Sequence, residues 1–122
     1  MDKKQWKTKI KSACRKAGTY QTFFDAAIDT LADILSKRDN AQDLFEKSGG
    51  SVLVKHTNKG GSTNLEQHPL IRLINDLNRD ALAYWRDLGL TPAGLKRINE
   101  AAMQKKEKGS ALEEALKSIG GA

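Results

Sequence analysis

The chain has a single cysteine, Cys14, so no intramolecular disulfide can form, and a reducing compartment is expected. No apolar run approaches the roughly 20 residues needed to cross a bilayer, and no membrane association is expected. The start of the chain lacks the apolar stretch of a signal peptide, so a secreted product is not expected. Aromatic residues make up only 6% of the chain, which leaves Leu, Ile and Ala to build the core. There is no GxxxxGK[ST] run to cradle a nucleotide phosphate. The nearest approach, NKGGST at 58–63, has lysine and glycines in the wrong order and reads as a turn. With two histidines, His56 and His68, no set of Cys, His and carboxylate groups stands at metal-ligand spacing. Cys14 has no assignable base partner and reads as a small buried group. The Asp25/Asp29 and Asp76/Asp80 pairs, with Arg79 beside the second, have the spacing of helix-surface charges rather than of a general acid and base. The expectation is a non-enzymatic protein with no cofactor and no metal.

What the chain does have is positive charge at its ends. Its 122 residues carry a formal net charge of +6, a length that suits one small domain. The excess is concentrated in residues 1–17, where Lys3, Lys4, Lys7, Lys9, Lys11, Arg15 and Lys16 face only Asp2. The stretch 18–91 is slightly acidic and 92–122 slightly basic. Basic ends on a nearly balanced body suit contact with an anionic polymer, while the plainer reading is a solvated helix face.

The hydrophobic spacing predicts a mainly helical chain. A basic helix over 1–17, running from about Lys3 to Ala17, buries Trp6, Ile10, Ala13, Cys14 and Ala17, with Gly18 as its stop. A second helix starts near 19–22 and either runs to Lys47 or bends near Arg38-Asp39-Asn40. Its stripe is Tyr20, Phe24, Ile28, Leu31, Leu35 and Leu44, and Gly49 and Gly50 end it. SVLVKHT at 51–57 is the one convincing strand, followed by loop at 58–64. Its partner is either a loose hairpin or a neighbouring subunit. A third helix from Pro69 to Leu88 carries Leu70, Leu73, Ile74, Leu77, Ala81, Tyr84, Trp85 and Leu88 inward and stops at Gly89. Thr91 and Pro92 cap and open a fourth helix to about Lys106. Gly109 is expected to break it, with Ser110 to Glu113 capping a last short helix to Ile119 and residues 120–122 frayed. This divides the chain into a basic helix (1–17), a central helical core with a β insertion (18–91) and a C-terminal helical segment (92–122).

Four stretches in this order resemble a known family: ACRKAGTYQTFFDAAIDTLADILSKRDNA (13–41), SGGSVLVKHTNKGG (48–61), QHPLIRLINDLNRDALAYWRDLGLTP (67–92) and the AGLKRI that follows. Together, over about residues 13–98, they look like the short form of the small subunit of the tailed-phage terminase. The long helix opened by His68-Pro69 and closed by LGLTP is the most specific part. The resemblance implies a non-catalytic packaging component from a phage, prophage or related mobile element, acting in the cytoplasm of the bacterial host cell. It implies a helical-hairpin core assembling as a ring-shaped homo-oligomer. It also implies recognition of double-stranded viral DNA at the packaging start site, and engagement of the terminase large subunit that holds the ATPase and nuclease. Apolar surface around Tyr84, Trp85 and Leu53 is expected either to meet a neighbouring subunit, the reading the resemblance favours, or to be covered in a monomer by the first helix and the C-terminal helices.

Two basic groups are candidates for DNA contact. On the first helix, Lys4, Lys7 and Lys11 recur at three- and four-residue spacing, joined by Lys3 and Arg15, and would bind phosphates as point charges. On the fourth helix, Lys96 and Arg97 lie near the start, and Arg97 has the fork that reads a guanine edge. Removing 1–17 is expected to weaken DNA binding while leaving the oligomer intact. Two rival functions remain at this level: a helix-turn-helix transcription regulator built on 79–102, and a module that binds only protein.

Overall fold

The computed structural model describes residues 1–120; residues 121 and 122, part of the frayed end expected from the sequence, lie outside them. The chain forms helix α1 (Lys3–Ala17), a short 3-10 turn (Thr22–Phe24), helix α2 (Asp25–Lys47), strands β1 (Leu53–Thr57) and β2 (Thr63–Gln67), and helices α3 (Pro69–Asp87) and α4 (Pro92–Gly120). It is mainly helical with one antiparallel hairpin.

Local chemistry sets most of the boundaries. At the start of α1, the Asp2 carboxylate accepts from the Gln5 backbone N–H while the Gln5 side chain accepts from the Asp2 N–H. This reciprocal cap satisfies two otherwise unpaired donors. Gly18 ends the helix at φ 73°, a left-handed conformation open to glycine. α2 starts later than its sequence suggests, because Thr22–Phe24 forms the separate 3-10 turn first. It then runs unbroken through Arg38-Asp39-Asn40 to Lys47.

α1 packs on α2, and α2 packs on α3 over most of its length. The second contact is antiparallel. Ile28, Leu31 and Leu35 near the start of α2 share a core with Ala81 of α3, with Leu88 just past its end, and with Trp6, Ile10 and Cys14 of α1. At the other end Ala41 and Phe45 of α2 meet Leu70, Ile71 and Ile74. α1 is therefore part of the core and not a detachable arm, and removing 1–17 would uncover Ile28, Leu31 and Leu35. The far end of the α2 stripe also differs from expectation. Leu44 is exposed and Ala41 and Phe45 are buried instead, since the helical period carries the inward face one position past Leu44. Leu73 is exposed as well, whereas Tyr84 and Trp85 pack on the core of their own chain.

The strand at 53–57 finds its partner locally. β2 pairs with β1 in register from Leu53↔Gln67 to Thr57↔Thr63, so the segment expected to be loop contributes Thr63 and Asn64 to a strand. The tight loop Asn58–Ser62 is organised by the Asn58 side chain, whose oxygen accepts from the Gly60 and Ser62 N–H groups at 3.0 and 3.1 Å. Just beyond β2, His68 caps α3: its Nδ1 accepts from Leu70 N–H at 3.1 Å. That acceptor role puts the ring proton on Nε2, which donates to Ser48 Oγ at 2.9 Å. The Ser48 hydroxyl in turn donates to Phe45 O at 2.7 Å. One chain of hydrogen bonds thus ties the end of α2 to the start of α3.

LGLTPAGL forms a tight corner between α3 and α4. Thr91 Oγ1 accepts from Gly94 N–H at 3.1 Å, the cap expected from the sequence. Gly94 is buried, and a Cβ there would overlap the Arg86 carbonyl oxygen of α3. Only glycine lets the two backbones approach this closely. Beyond the corner α4 continues through Gly109 to Gly120 without a break, contrary to the two-helix expectation. An interior glycine costs about 1 kcal/mol relative to alanine, and Ala, Leu, Glu and Lys on both sides offset it.

Candidate nucleic-acid interface

The basic residues of α1 divide between two faces. One face turns to α2, where Asp25, Asp29 and Asp33 recur every four residues. Lys3 and Lys7 both reach Asp29, at 3.1 and 3.2 Å, and Lys11 lies 3.7 Å from Asp25. Asp25 also accepts from the Tyr20 hydroxyl at 2.9 Å, and the Arg15 guanidinium sits 4.9 Å from the Tyr20 ring. The two lysines hold the Asp29 carboxyl below its ordinary value by hydrogen bonding to the charged form. The hydrogen bond to Asp25 does the opposite for the Tyr20 phenol and raises it.

A second set of contacts pins the start of α1. The Trp6 indole N–H donates to Asp39 at 2.7 Å, and Arg38 both pairs with Asp39 at 3.0 Å and lies 5.6 Å from the Trp6 ring. Partial burial pushes the Asp39 carboxyl up, but bonds from Trp6, the Met1 amino group and Arg38 outweigh it and hold it low.

The other face of α1 is open. Lys4, Thr8, Lys9, Ser12, Ala13 and Lys16 line a shallow groove along the helix. Among the described residues no ion pair involves Lys4, Lys9 or Lys16; Lys9 rests over the Trp6 ring at 5.1 Å. Of the sequence candidates, Lys4 is on this free face, whereas Lys3, Lys7 and Lys11 are committed to the acids of α2 and Arg15 to Tyr20. Lys9 and Lys16, which the three- and four-residue spacing passed over, join Lys4 instead. The sequence holds part of the signal: Asp25 and Asp29 share the four-residue period of Lys3, Lys7 and Lys11 with opposite charge, whereas Asp33, on the same row, pairs with Lys37 of its own helix.

Lys96 and Arg97 stand elsewhere, exposed on the first turns of α4, a helix that packs on α3. Lys96 approaches Glu100 at 3.9 Å, with both side chains well exposed. Cys14 is fully buried, and burial pushes its thiol up, away from the reactive thiolate. Among the described residues no cluster of three His, Cys, Asp or Glu side chains is gathered for a metal, and no helix is long and apolar enough to cross a membrane.

No curated protein and no solved structure matches the chain significantly. A family model described as phage terminase, small subunit, does match, over residues 3–105. The match covers more than the central block, taking in all of α1 and the first half of α4. The chain therefore belongs to the phage terminase small-subunit family, a component of phage DNA packaging.

Proposed function

We propose that this protein is the DNA-recognising, non-catalytic subunit of a packaging terminase. It binds double-stranded DNA at the packaging start site and engages the large subunit, which carries the ATPase and nuclease. It acts as a closed homo-oligomeric ring in the cytoplasm of the bacterial host. The observation that carries the DNA contact is the divided charge of α1. One row of lysines neutralises α2 and holds the helix, while Lys4, Lys9 and Lys16 project from a rigid support with no acid opposite them. Lysines so placed bind phosphates with little sequence information, and a ring of such helices would present a continuous basic band. Lys3, Lys7 and Lys11 hold α1 on α2 through Asp25 and Asp29, and Arg15 stands over Tyr20. Lys96 and Arg97 are a second contact, with Arg97 supplying any base reading. Wild-type protein is expected to bind a labelled duplex at low salt, and native mass measurement is expected to give a closed assembly of more than two copies. A duplex left unbound at low salt would reject the reading.

A second reading, a helix-turn-helix regulator on 79–102, draws support from the tight α3–α4 corner. Against it stands the 19-residue α3, far longer than such a motif needs. An isolated dimer on a palindromic duplex would favour it.

A further inference from the structure

From Ala101 to Ile119 every described side chain of α4 is exposed, so about 28 Å of helix stands away from the body. Helices in proteins gain most of their stability from packing an amphipathic face, and this one carries Leu112, Leu116 and Ile119 at 62%, 60% and 78% exposure. The stripe Ala102, Lys105, Gly109, Leu112, Leu116 and Ile119 follows alternating three- and four-residue steps, the spacing of a coiled-coil seam. Beside the seam stand Lys106 and Glu113, one basic and one acidic, at equivalent heptad positions.

We propose that α4 pairs antiparallel with α4 of a second copy of this chain, across a two-fold axis between Ser110 and Ala111. In that register Leu112 of each copy fills the space left by Gly109 of the other. Ile119 meets Ala102, and the stem of Lys105 lies along Leu116 with its ammonium directed to water. Equivalent flanking positions face one another in an antiparallel pair, so Lys106 of each copy meets Glu113 of the other, twice by symmetry. A parallel pair would set Lys105 against Lys105 and leave a gap between two Gly109 residues. The seam is thus self-complementary in one orientation, which identifies the occupant as another copy of the chain. A two-fold contact of this kind does not itself close a ring; it joins two copies, or two rings, face to face. It is independent of DNA binding.

The test uses the full chain, with native mass measurement and sedimentation. Leu112→Glu/Leu116→Glu is expected to halve the assembly mass while duplex binding persists. Lys106→Glu and Glu113→Lys should each dissociate the pair, and the two together should restore it. For register, Gly109→Cys/Leu112→Cys should form an intermolecular disulfide and Leu112→Cys alone should not; the buried Cys14 does not interfere. An assembly mass unchanged by the Leu112→Glu/Leu116→Glu variant would overturn the proposal, as would cross-linking through Leu112→Cys alone, or failure of the combined charge swap to restore the mass.

Discussion

α1 and α4 are both basic, both striped and both at an end of the chain, yet they meet opposite fates. α1 presses Trp6, Ile10 and Cys14 into the shared core, at 8%, 0% and 0% exposure, and its inner lysines meet a matching row of aspartates. α4 is anchored by one close crossing at Gly94 and then leaves the body, with its apolar residues in water. An amphipathic helix is only half of an interface. α2 supplies the other half for α1 within the chain; α3 does so for the first turns of α4, but among the described residues none covers Leu112, Leu116 and Ile119 of its distal part. Stability in this protein is accordingly concentrated in α1, α2 and α3, and distal α4, with Leu112, Leu116 and Ile119 exposed, contributes little to it.

The contrast can be broken most strongly at Ile10, which is fully buried where α1 meets α2. Ile10→Ala should destabilise the fold by about 3 kcal/mol through reduced burial and a residual cavity, read as a lower denaturant midpoint. A surface change on distal α4, such as Leu116→Ala, should shift the midpoint far less at concentrations where the assembly is dissociated. Next in size is the corner that joins the two regimes. Gly94→Ala forces a methyl group against the Arg86 backbone and should cost about 2 kcal/mol by overpacking. Undocking of α4 from α3 should appear as new amide exchange around Thr91–Ile98 with the α1–α2 packing retained.

The smallest effect concerns acid. The Asp29 and Asp39 carboxyls are held below their ordinary value of 3.8 in the folded protein. Their contribution is therefore present above pH 3.8 and is lost as the pH falls through their lower folded values. Asp29 is exposed and its pairs are screened, so the change should be modest. In a Trp85→Phe background, Trp6 fluorescence should report loosening of α1 at acid pH. An Asp29→Asn/Asp39→Asn variant should be looser at neutral pH and show a flatter acid limb.

Much of this architecture was legible from the sequence. The α1 limits follow from the three- and four-residue spacing of Trp6, Ile10 and Cys14 and from the stop at Gly18. The α3–α4 corner follows from Gly89, Thr91 and Pro92. What the sequence obscured has physical causes. β2 was hidden because TNLEQ is polar and gains its strand geometry from pairing with β1. Gly109 reads as a breaker by propensity alone, and strong helix formers on both sides override it. The candidate DNA residues were half visible. The concentration of charge on α1 was plain, but dividing Lys3, Lys7 and Lys11 from Lys4, Lys9 and Lys16 requires knowing that Asp25 and Asp29 of α2 lie opposite the first set.

That division is the central claim, and the salt dependence of duplex affinity tests it most directly. Removing one lysine–phosphate pairing reduces the steepness of log K against log salt by about 0.9. Lys4→Gln/Lys9→Gln/Lys16→Gln should flatten the slope by several such steps across the assembly and weaken binding at low salt. Lys3→Gln/Lys7→Gln/Lys11→Gln, which removes the same charge from the inner face, should leave the slope nearly unchanged. Equal flattening by both variants, or greater flattening by the inner set, would contradict the account.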